Sequence, residues 1–86
     1  MLRLYGFEVC GPCVKARKLL GRLGIEYEYI DILSTKDRAA KADCLRRSPL
    51  GVPSVPMLVF DDGTAMWGWS DDMVGAIKKM AKEGKA

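Results

Sequence analysis

The chain of 86 residues predicts an α/β domain with the element order β-α-β-α-β-β-α, in which helices flank a four-stranded mixed sheet. Three observations support this fold class. Short apolar runs alternate with longer segments of helical spacing, glycine or turn residues separate the segments, and a hairpin turn joins the last two strands. Because a chain of this length has room for one hydrophobic core, residues 1–86 are predicted to form a single domain.

The first third of the chain predicts a βαβ unit. A buried strand covers about residues 1–6, and the apolar side chains from Gly11 to Leu23 then follow a helical spacing. Pro12 suits the first turn of this helix, and Gly24 is a C-terminal stop signal. Isoleucine and tyrosine recur with a period of two over residues 25–32, as in a half-buried strand. Two strands joined by a helix should be parallel, with a right-handed crossover.

The next segment predicts a second helix that is largely solvated. This helix covers about Lys36 to Arg47, and Ser34 or Thr35 is its expected N-cap. We expect it to pack close to the sheet, because the residues predicted to face inward are mostly small. These residues are Ala39, Ala40, Ala42, Cys44 and Leu45. Cys44 is interpreted as a small packing residue of this helix.

The last third predicts a ββα unit. Residues 55–60 form a strand, residues 61–63 a hairpin turn and residues 64–67 a short fourth strand. The final helix covers Asp71 to Lys82, with Ser70 as its N-cap and acidic side chains in its first turn. Its inward side chains are predicted to be Met73, Val74, Ile77 and Met80. Of the two tryptophans, Trp67 is expected to be the more buried and Trp69 partly exposed.

The composition argues against several classes of function. Basic and acidic residues are interspersed and the net charge is only +3, which does not favour nucleic-acid binding. No apolar run approaches the ~20 residues that a membrane-spanning helix needs, and the N-terminal segment lacks a secretory h-region. The chain contains no histidine, the most common general base and transition-metal ligand. We therefore expect a cytoplasmic monomer whose chemistry depends on cysteines, carboxylates or backbone groups.

Cys10 and Cys13 lie two residues apart at the predicted junction of the first strand and the first helix. The free N–H groups and the dipole at a helix N-terminus stabilise an anion, which favours Cys10 as the thiolate nucleophile. Gly11 and Pro12 keep the connection short, so that Cys13 can resolve a mixed disulfide formed at Cys10. An inert disulfide and half of a zinc site are the alternatives, but Cys44 and carboxylates would have to complete a zinc site. The pattern favours thiol–disulfide chemistry without a bound metal.

Three spaced motifs resemble the glutaredoxin-like members of the thioredoxin superfamily. Cys10-Gly11-Pro12-Cys13 is the active-site sequence of thioredoxins, whereas the length of the chain and the run after Cys13 look more like glutaredoxins. Ser54-Val55-Pro56 is similar to the family's Thr-Val-Pro, whose proline is cis and faces the active-site cysteine. Residues 68–71 resemble the later half of the Gly-Gly-x-[Thr/Ser]-Asp segment. The resemblance covers nearly the whole chain and implies a thioredoxin fold.

This resemblance implies a dithiol–disulfide oxidoreductase, of the kind that includes bacterial and phage electron donors to ribonucleotide reductase. Val55 would offer its backbone N–H and C=O to a substrate peptide or to glutathione, beside a cis Pro56. In the segment that begins at Gly68, Ser70 and Asp71 would hold the γ-glutamyl end of glutathione, although both also suit a helix N-terminus. The residues expected around the rim of the site are Phe7, Val9, Gly11, Pro12 and Trp69.

Three departures from the glutaredoxin pattern leave the reductant open. Phe7 stands where a lysine is usual, Pro12 where a tyrosine is usual, and Trp67 where the first glycine of the Gly-Gly pair is usual. The reductant is therefore expected to be either glutathione or a thioredoxin-reductase-like flavoenzyme, with no bound cofactor. Two alternative functions stay open: a binding module that docks to a larger enzyme, and an iron–sulfur or metal carrier.

Overall fold

The computed structural model describes residues 1–83, and its elements follow the predicted order β-α-β-α-β-β-α. They are β1 (Leu2–Gly6), α1 (Gly11–Arg22), β2 (Tyr27–Asp31), α2 (Arg38–Arg47), β3 (Met57–Val59), β4 (Ala65–Trp67) and α3 (Asp71–Lys82). The predicted fold class is therefore confirmed. The helices α1 and α3 match their predicted bounds within one residue, whereas every strand is shorter than predicted.

The sheet has the strand order β2-β1-β3-β4. β1 runs parallel to β2 and antiparallel to β3, and β3 pairs antiparallel with β4. One register row crosses the four strands through Tyr29, Leu4, Leu58 and Met66. The neighbouring row crosses them through Ile30, Tyr5, Met57 and Trp67. Because successive side chains of a strand point to opposite sides, the two rows belong to opposite faces of the sheet.

The first row packs against α1 and α3 and belongs to the larger of two core clusters. The large side chains of this cluster with no exposed surface are Leu4, Leu20, Leu58, Met73 and Ile77. Burying a side chain of this size contributes about 1.5–3 kcal/mol to folding. Met73, Val74, Ile77 and Met80 of α3 all pack in or against this cluster, which confirms their predicted inward direction.

The second face of the sheet is covered by α2, which contributes only Ala40 and Cys44 to the core. The predicted thin inner face is confirmed, and Cys44 is fully buried as a packing residue. The helix contacts the sheet along one narrow line, so its buried positions recur four residues apart. Three of the five residues predicted to face inward do not, because they are exposed in the structure. These residues are Ala39, Ala42 and Leu45.

The start of α2 also differs from the prediction. Asp37 is the N-cap, and its carboxylate accepts hydrogen bonds from the backbone N–H groups two and three residues later, at 3.0 and 3.1 Å. The expected caps, Ser34 and Thr35, lie in a turn after β2, where their N–H groups donate to the backbone C=O of Asp31 at 3.3 and 2.9 Å. Ser34 and Thr35 were wrong as caps because the Asp31 turn already uses this segment before the helix begins.

Polar contacts add to the thin apolar packing of α2. The carboxylate of Asp43 accepts hydrogen bonds from the hydroxyl of Tyr5 at 2.7 Å, from Arg47 Nε at 3.1 Å and from Arg46. Arg3 lies 3.7 Å from the same carboxylate. Burial acts to raise the pKa of Asp43, but the hydrogen bonds from Tyr5, Arg47 and Arg46 outweigh burial and lower it. One carboxylate therefore neutralises several guanidinium groups on this face.

The ends of α1 and α3 follow the signals that predicted them. Gly24 has a φ of +70° directly after the C-cap of α1, a conformation that glycine adopts without strain. Ser70 caps α3, and its hydroxyl accepts a hydrogen bond from the Met73 N–H at 3.3 Å. In the part of the chain that the structure describes, no helix combines the length and apolar character that crossing a membrane requires.

Candidate active site

Cys10 is the N-cap residue of α1, with an extended backbone (φ −94°, ψ 115°). Its Sγ accepts a hydrogen bond from the backbone N–H of Cys13 at 3.3 Å, and its C=O accepts one from the Val14 N–H at 3.1 Å. Pro12 occupies the first turn, as predicted. A sulfur in this position faces the N–H groups and the positive end of the helix dipole, which stabilise a thiolate.

Cys13 lies on the inner side of α1 and has no exposed surface. Burial and, to a smaller extent, the hydrogen bond to Cys10 raise the pKa of the Cys13 thiol to about 12, although a backbone hydrogen bond from Phe7 acts in the opposite direction. Cys13 therefore keeps its proton at neutral pH. Cys10 is half-buried, and both cysteines are free thiols. The arrangement gives Cys10 the position of an attacking thiol and Cys13 that of a resolving thiol.

These environments predict selective alkylation of the native protein. At pH 8, a pKa of about 12 leaves roughly one Cys13 thiol in ten thousand deprotonated. Cys44 is also buried, and burial raises its pKa. A short treatment with iodoacetamide should therefore add one carbamidomethyl group, at Cys10, as peptide mass spectrometry would show. All three cysteines should react in 8 M urea. Early labelling of Cys13 at the rate of Cys10 in the native protein would contradict this description.

Gly6 is a site residue that the sequence did not reveal. A Cβ atom at this position would lie 3.1 Å from Cys13 Sγ, 3.2 Å from Cys13 Cβ and 3.3 Å from Tyr29 Cε1. Such contacts are tighter than ordinary packing, so the absence of a side chain allows the first turn of α1 to approach the end of β1. The available signal was a glycine between an apolar strand and the Cys-x-x-Cys motif.

Asp31 is a second residue that the sequence did not single out. It ends β2, and its carboxylate accepts hydrogen bonds from the backbone N–H groups of Glu8 at 3.2 Å and Leu33 at 2.9 Å. The same carboxylate therefore connects the loop before Cys10 to the turn after β2. These segments meet because β1 and β2 pair in parallel, so the spacing of the motifs along the chain does not reveal the role of Asp31.

The predicted cis-proline segment lies at the same end of the sheet as the cysteine loop. Tyr5 of β1 is opposite Met57 of β3, so the next pair in this antiparallel register is Gly6 and Pro56. Pro56 is buried, and its C=O accepts a hydrogen bond from the Gly68 N–H at 2.9 Å. Gly68 has a φ of +83°, which suits glycine. The loop between β1 and α1, the start of β3 and the segment after β4 are therefore neighbours.

Val55 precedes Pro56 through a cis peptide bond, which confirms the predicted cis proline. Among residues 1–83, neither the N–H nor the C=O of Val55 takes part in a hydrogen bond. Val55 is half-buried and packs with Phe7 against the second core cluster, which is formed around Tyr5 and Met57. These unpaired backbone groups leave a place where an extended peptide could add as a strand.

The other predicted site residues differ in exposure. Val9 is 89% exposed, and Gly11 and Pro12 are also exposed. Ser70 and Asp71 are exposed at the start of α3, directly after the segment that contacts Pro56. Their cap and first-turn positions are confirmed, while their predicted contact with glutathione stays a prediction.

Trp69 is partly exposed as expected, but the expectation that Trp67 is the more buried tryptophan was wrong. Trp67 is 44% exposed, whereas Trp69 is half-buried and packs against the larger core cluster. Trp67 ends the edge strand β4 in the register row of Tyr5 and Met57, on the face that the thin helix α2 covers. Trp69 lies after the turn at Gly68 and contacts the opposite, better-covered face. Trp69, which was predicted to lie at the rim of the site, therefore lies on the face of the sheet that packs against α1 and α3.

Within residues 1–83, no group of three or more His, Cys, Asp or Glu side chains is placed to hold a metal ion. Cys44 lies in the cluster beneath α2, on the face of the sheet opposite the cluster that α1 joins. The cysteine that would have had to extend the Cys10–Cys13 pair is therefore separated from the pair by the sheet.

A family model described as Glutaredoxin matches residues 2–64, which include both cysteines of the motif and Val55-Pro56. The chain belongs to the glutaredoxin family. The matched range ends before Gly68, so it does not include the segment that leads into α3. Membership of this family supports a role as a thiol–disulfide oxidoreductase.

Solved structures agree with this family. The thioredoxin-like protein BC3987 is 26% identical, with a TM-score of 0.69 over 90% of this chain and 99% of that chain. A buckwheat glutaredoxin in complex with glutathione is 26% identical, with a TM-score of 0.61 over 98% and 70% of the two chains. The glutaredoxin from Methanosarcina mazei Go1, 23% identical with a TM-score of 0.70 over 88% and 76%, shows the shared thioredoxin fold. No curated protein matches the sequence.

Proposed function

We propose that this glutaredoxin-family protein reduces disulfide bonds of other proteins through Cys10 and Cys13. The observation that carries the proposal is the contrast between the two thiols. Cys10 is half-exposed at the N-terminus of α1, where a backbone N–H donates to its sulfur, whereas Cys13 is buried with its pKa raised to about 12. One thiol is therefore suited to attack, and the other is suited to act only after a covalent bond holds the substrate beside it.

The reaction requires two exchanges. The Cys10 thiolate attacks one sulfur of the substrate disulfide, forms a mixed disulfide and releases the other substrate sulfur as a thiolate. Cys13 then attacks Cys10 Sγ, and its proton passes to the departing substrate sulfur, so that the Cys10–Cys13 disulfide forms and the substrate gains two electrons. The unpaired N–H and C=O of Val55 would hold the substrate chain beside Cys10 as an added strand.

The cycle closes when a reductant opens the Cys10–Cys13 disulfide. We take glutathione as this reductant, because the chain belongs to the glutaredoxin family and is similar to a buckwheat member in complex with glutathione. Two glutathione thiols would supply the two electrons and leave as glutathione disulfide, with Ser70 and Asp71 beside the γ-glutamyl end. No bound cofactor is needed, since the two sulfurs carry the electrons. A reducing compartment such as the cytoplasm would keep the resting thiols free.

Insulin reduction with separate electron donors tests this proposal. One arm contains glutathione, glutathione reductase and NADPH, and the other contains a bacterial thioredoxin reductase and NADPH. We expect turnover in the glutathione arm. Turnover with thioredoxin reductase alone would show that the flavoenzyme is the reductant, and no turnover in either arm would refute the function. Ribonucleotide reductase, the proposed electron acceptor among protein disulfides, is then tested by deoxyribonucleotide formation in the productive arm.

A further inference from the structure

A groove of about 280 Å³ lies between α1 and α3, outside the cysteine pair. Its floor is apolar and is formed by Leu19, Val74 and Trp69. Leu19 is buried, whereas Val74 and Trp69 are half-buried and pack against the larger core cluster. A floor of this kind accepts an aliphatic or aromatic side chain and has few groups that could form hydrogen bonds with a nucleobase.

The rim of the groove is entirely basic. Four exposed cations line it, and no acidic residue does: Lys15, Lys18, Arg22 and Lys78. From Met1 to Glu83, none of these four side chains is in a salt bridge. By contrast, three arginines on the opposite side of the sheet, Arg3, Arg46 and Arg47, are paired with Asp43 or Glu28. Four cations without an acidic partner among residues 1–83 therefore line one groove.

The groove begins beside the candidate active site. Lys15 follows Cys13 by two residues, and Trp69 directly follows Gly68, whose N–H is bonded to Pro56. From Cys10 to Arg22, α1 rises by about 18 Å at 1.5 Å per residue, a distance that about five or six residues of extended chain can cover. A polypeptide bound at Cys10 could thus place its next few residues along these cations.

We propose that this groove docks an acidic segment of the disulfide substrate, located about three to six residues from the reacting cysteine and carrying one apolar side chain. The apolar side chain would contact Trp69 and Val74, and the acidic side chains would pair with the cations of the rim. Opposite charge would raise the rate of encounter and select among disulfide proteins. The proposal rests on the proposed function, because it assigns the class of substrate to the same cysteine pair.

Binding without redox chemistry is the first test. A C10S/C13S/W67F variant keeps Trp69 as its sole tryptophan, so Trp69 emission reports on the groove. The probe is a cysteine-free peptide with four acidic residues around one leucine. We expect a saturable change in emission, and at least about tenfold weaker binding when the leucine is replaced by serine or the acids by their amides. The absence of a saturable change, or equal binding of all three peptides, would overturn the proposal.

Charge reversal locates the binding site. The variant K18E/R22E/K78E alters the rim, and the control K36E/K41E/K79E alters three exposed lysines elsewhere. Each reversal removes two units of charge, so both variants move the net charge from +3 to −3. Binding of the acidic peptide should fall about tenfold or more in the rim variant and less than about threefold in the control. Equal losses of peptide binding in the two variants would show that only the net charge matters, and would contradict binding in the groove.

Kinetics separates a failure of the groove from a failure of the function. Two peptides carry the same disulfide, one followed by an acidic segment and the other by a neutral segment. We expect a KM about tenfold lower for the acidic peptide at low salt, and nearly equal KM values in the rim variant. Reduction of both peptides with equal KM would reject the groove alone. Binding of the cysteine-free peptide without any reduction would reject the function alone. An oligonucleotide that competes as well as the acidic peptide at equal charge would overturn the peptide assignment.

Discussion

A Cys10→Ser variant should lose disulfide reduction by at least about a thousandfold, because a serine hydroxyl is a poor nucleophile at neutral pH. The fold should survive, since serine is a preferred N-cap and can accept the hydrogen bond that Cys10 accepts from the Cys13 N–H. The free energy of unfolding should change by less than about 1 kcal/mol. Insulin reduction and urea denaturation measure the two effects. Retained activity in this variant would contradict the assignment of the nucleophile.

The Cys13→Ser variant should fail at a different step. It keeps the attacking thiol but cannot displace the substrate itself, so in the absence of glutathione it should accumulate a stable mixed disulfide at Cys10, visible as an adduct by mass spectrometry. Cys44→Ala is the matched control, because Cys44 is a buried cysteine in the core cluster beneath α2. That control should turn over insulin at the parent rate at a temperature where it is folded. A Cys13→Ser variant that released substrate at the parent rate would show that Cys13 does not resolve the mixed disulfide.

A Gly6→Ala variant should lose about 1–3 kcal/mol of stability, although alanine is usually tolerated in strands. The added Cβ would lie 3.1–3.3 Å from atoms of Cys13 and Tyr29. Cys13 has no exposed surface, so α1 has to shift to make room. Because the shift would move the resolving thiol, the rate of Cys10–Cys13 disulfide formation should also fall. Urea denaturation measures the first effect, and stopped-flow thiol release the second.

Gly75→Ala is the control for this change. Gly75 lies in the middle of α3, and a Cβ there would meet no atom within 4 Å. Replacing a helical glycine with alanine at an open position should stabilise the protein by about 0.5–1 kcal/mol. Opposite signs for the two glycine variants are therefore expected. Similar free energies of unfolding for Gly6→Ala and the parent would show that Gly6 does not set the position of Cys13.

Local signals predicted the ends of α1 and α3, since each end depends on residues adjacent in the chain. Gly24 terminates α1, and Ser70 caps α3 as predicted. The N-cap of α2 was missed because the segment from Ser34 to Asp37 offers three suitable side chains. The choice among them depends on Asp31, because the hydrogen bonds from Ser34 and Thr35 to its backbone C=O hold both residues in a turn before the helix begins.

The reactive residues of the candidate site could be predicted from the sequence, but the residues that position them could not. The cysteine pair and the cis Pro56 belong to short motifs. The role of Gly6 depends on Tyr29, a residue of the neighbouring strand. The basic groove likewise depends on which sides of α1 and α3 meet. The predicted order of burial of the two tryptophans was the reverse of the observed one. A period of two assigns side chains to the two faces of a sheet, but it does not show which face the helices cover more fully.

The Asp43 cluster has a consequence for how readily this protein could acquire new partners during evolution. Arg46 and Arg47 both pair with this carboxylate, on the face of the sheet opposite the groove. A single substitution that removed the carboxylate would leave both guanidinium groups without an acidic partner among residues 1–83. The protein would then present a second basic surface that competes with the groove for acidic polypeptides. If the groove docks acidic segments as proposed, one residue distant from the cysteines would thus restrict the range of proteins that this chain attracts.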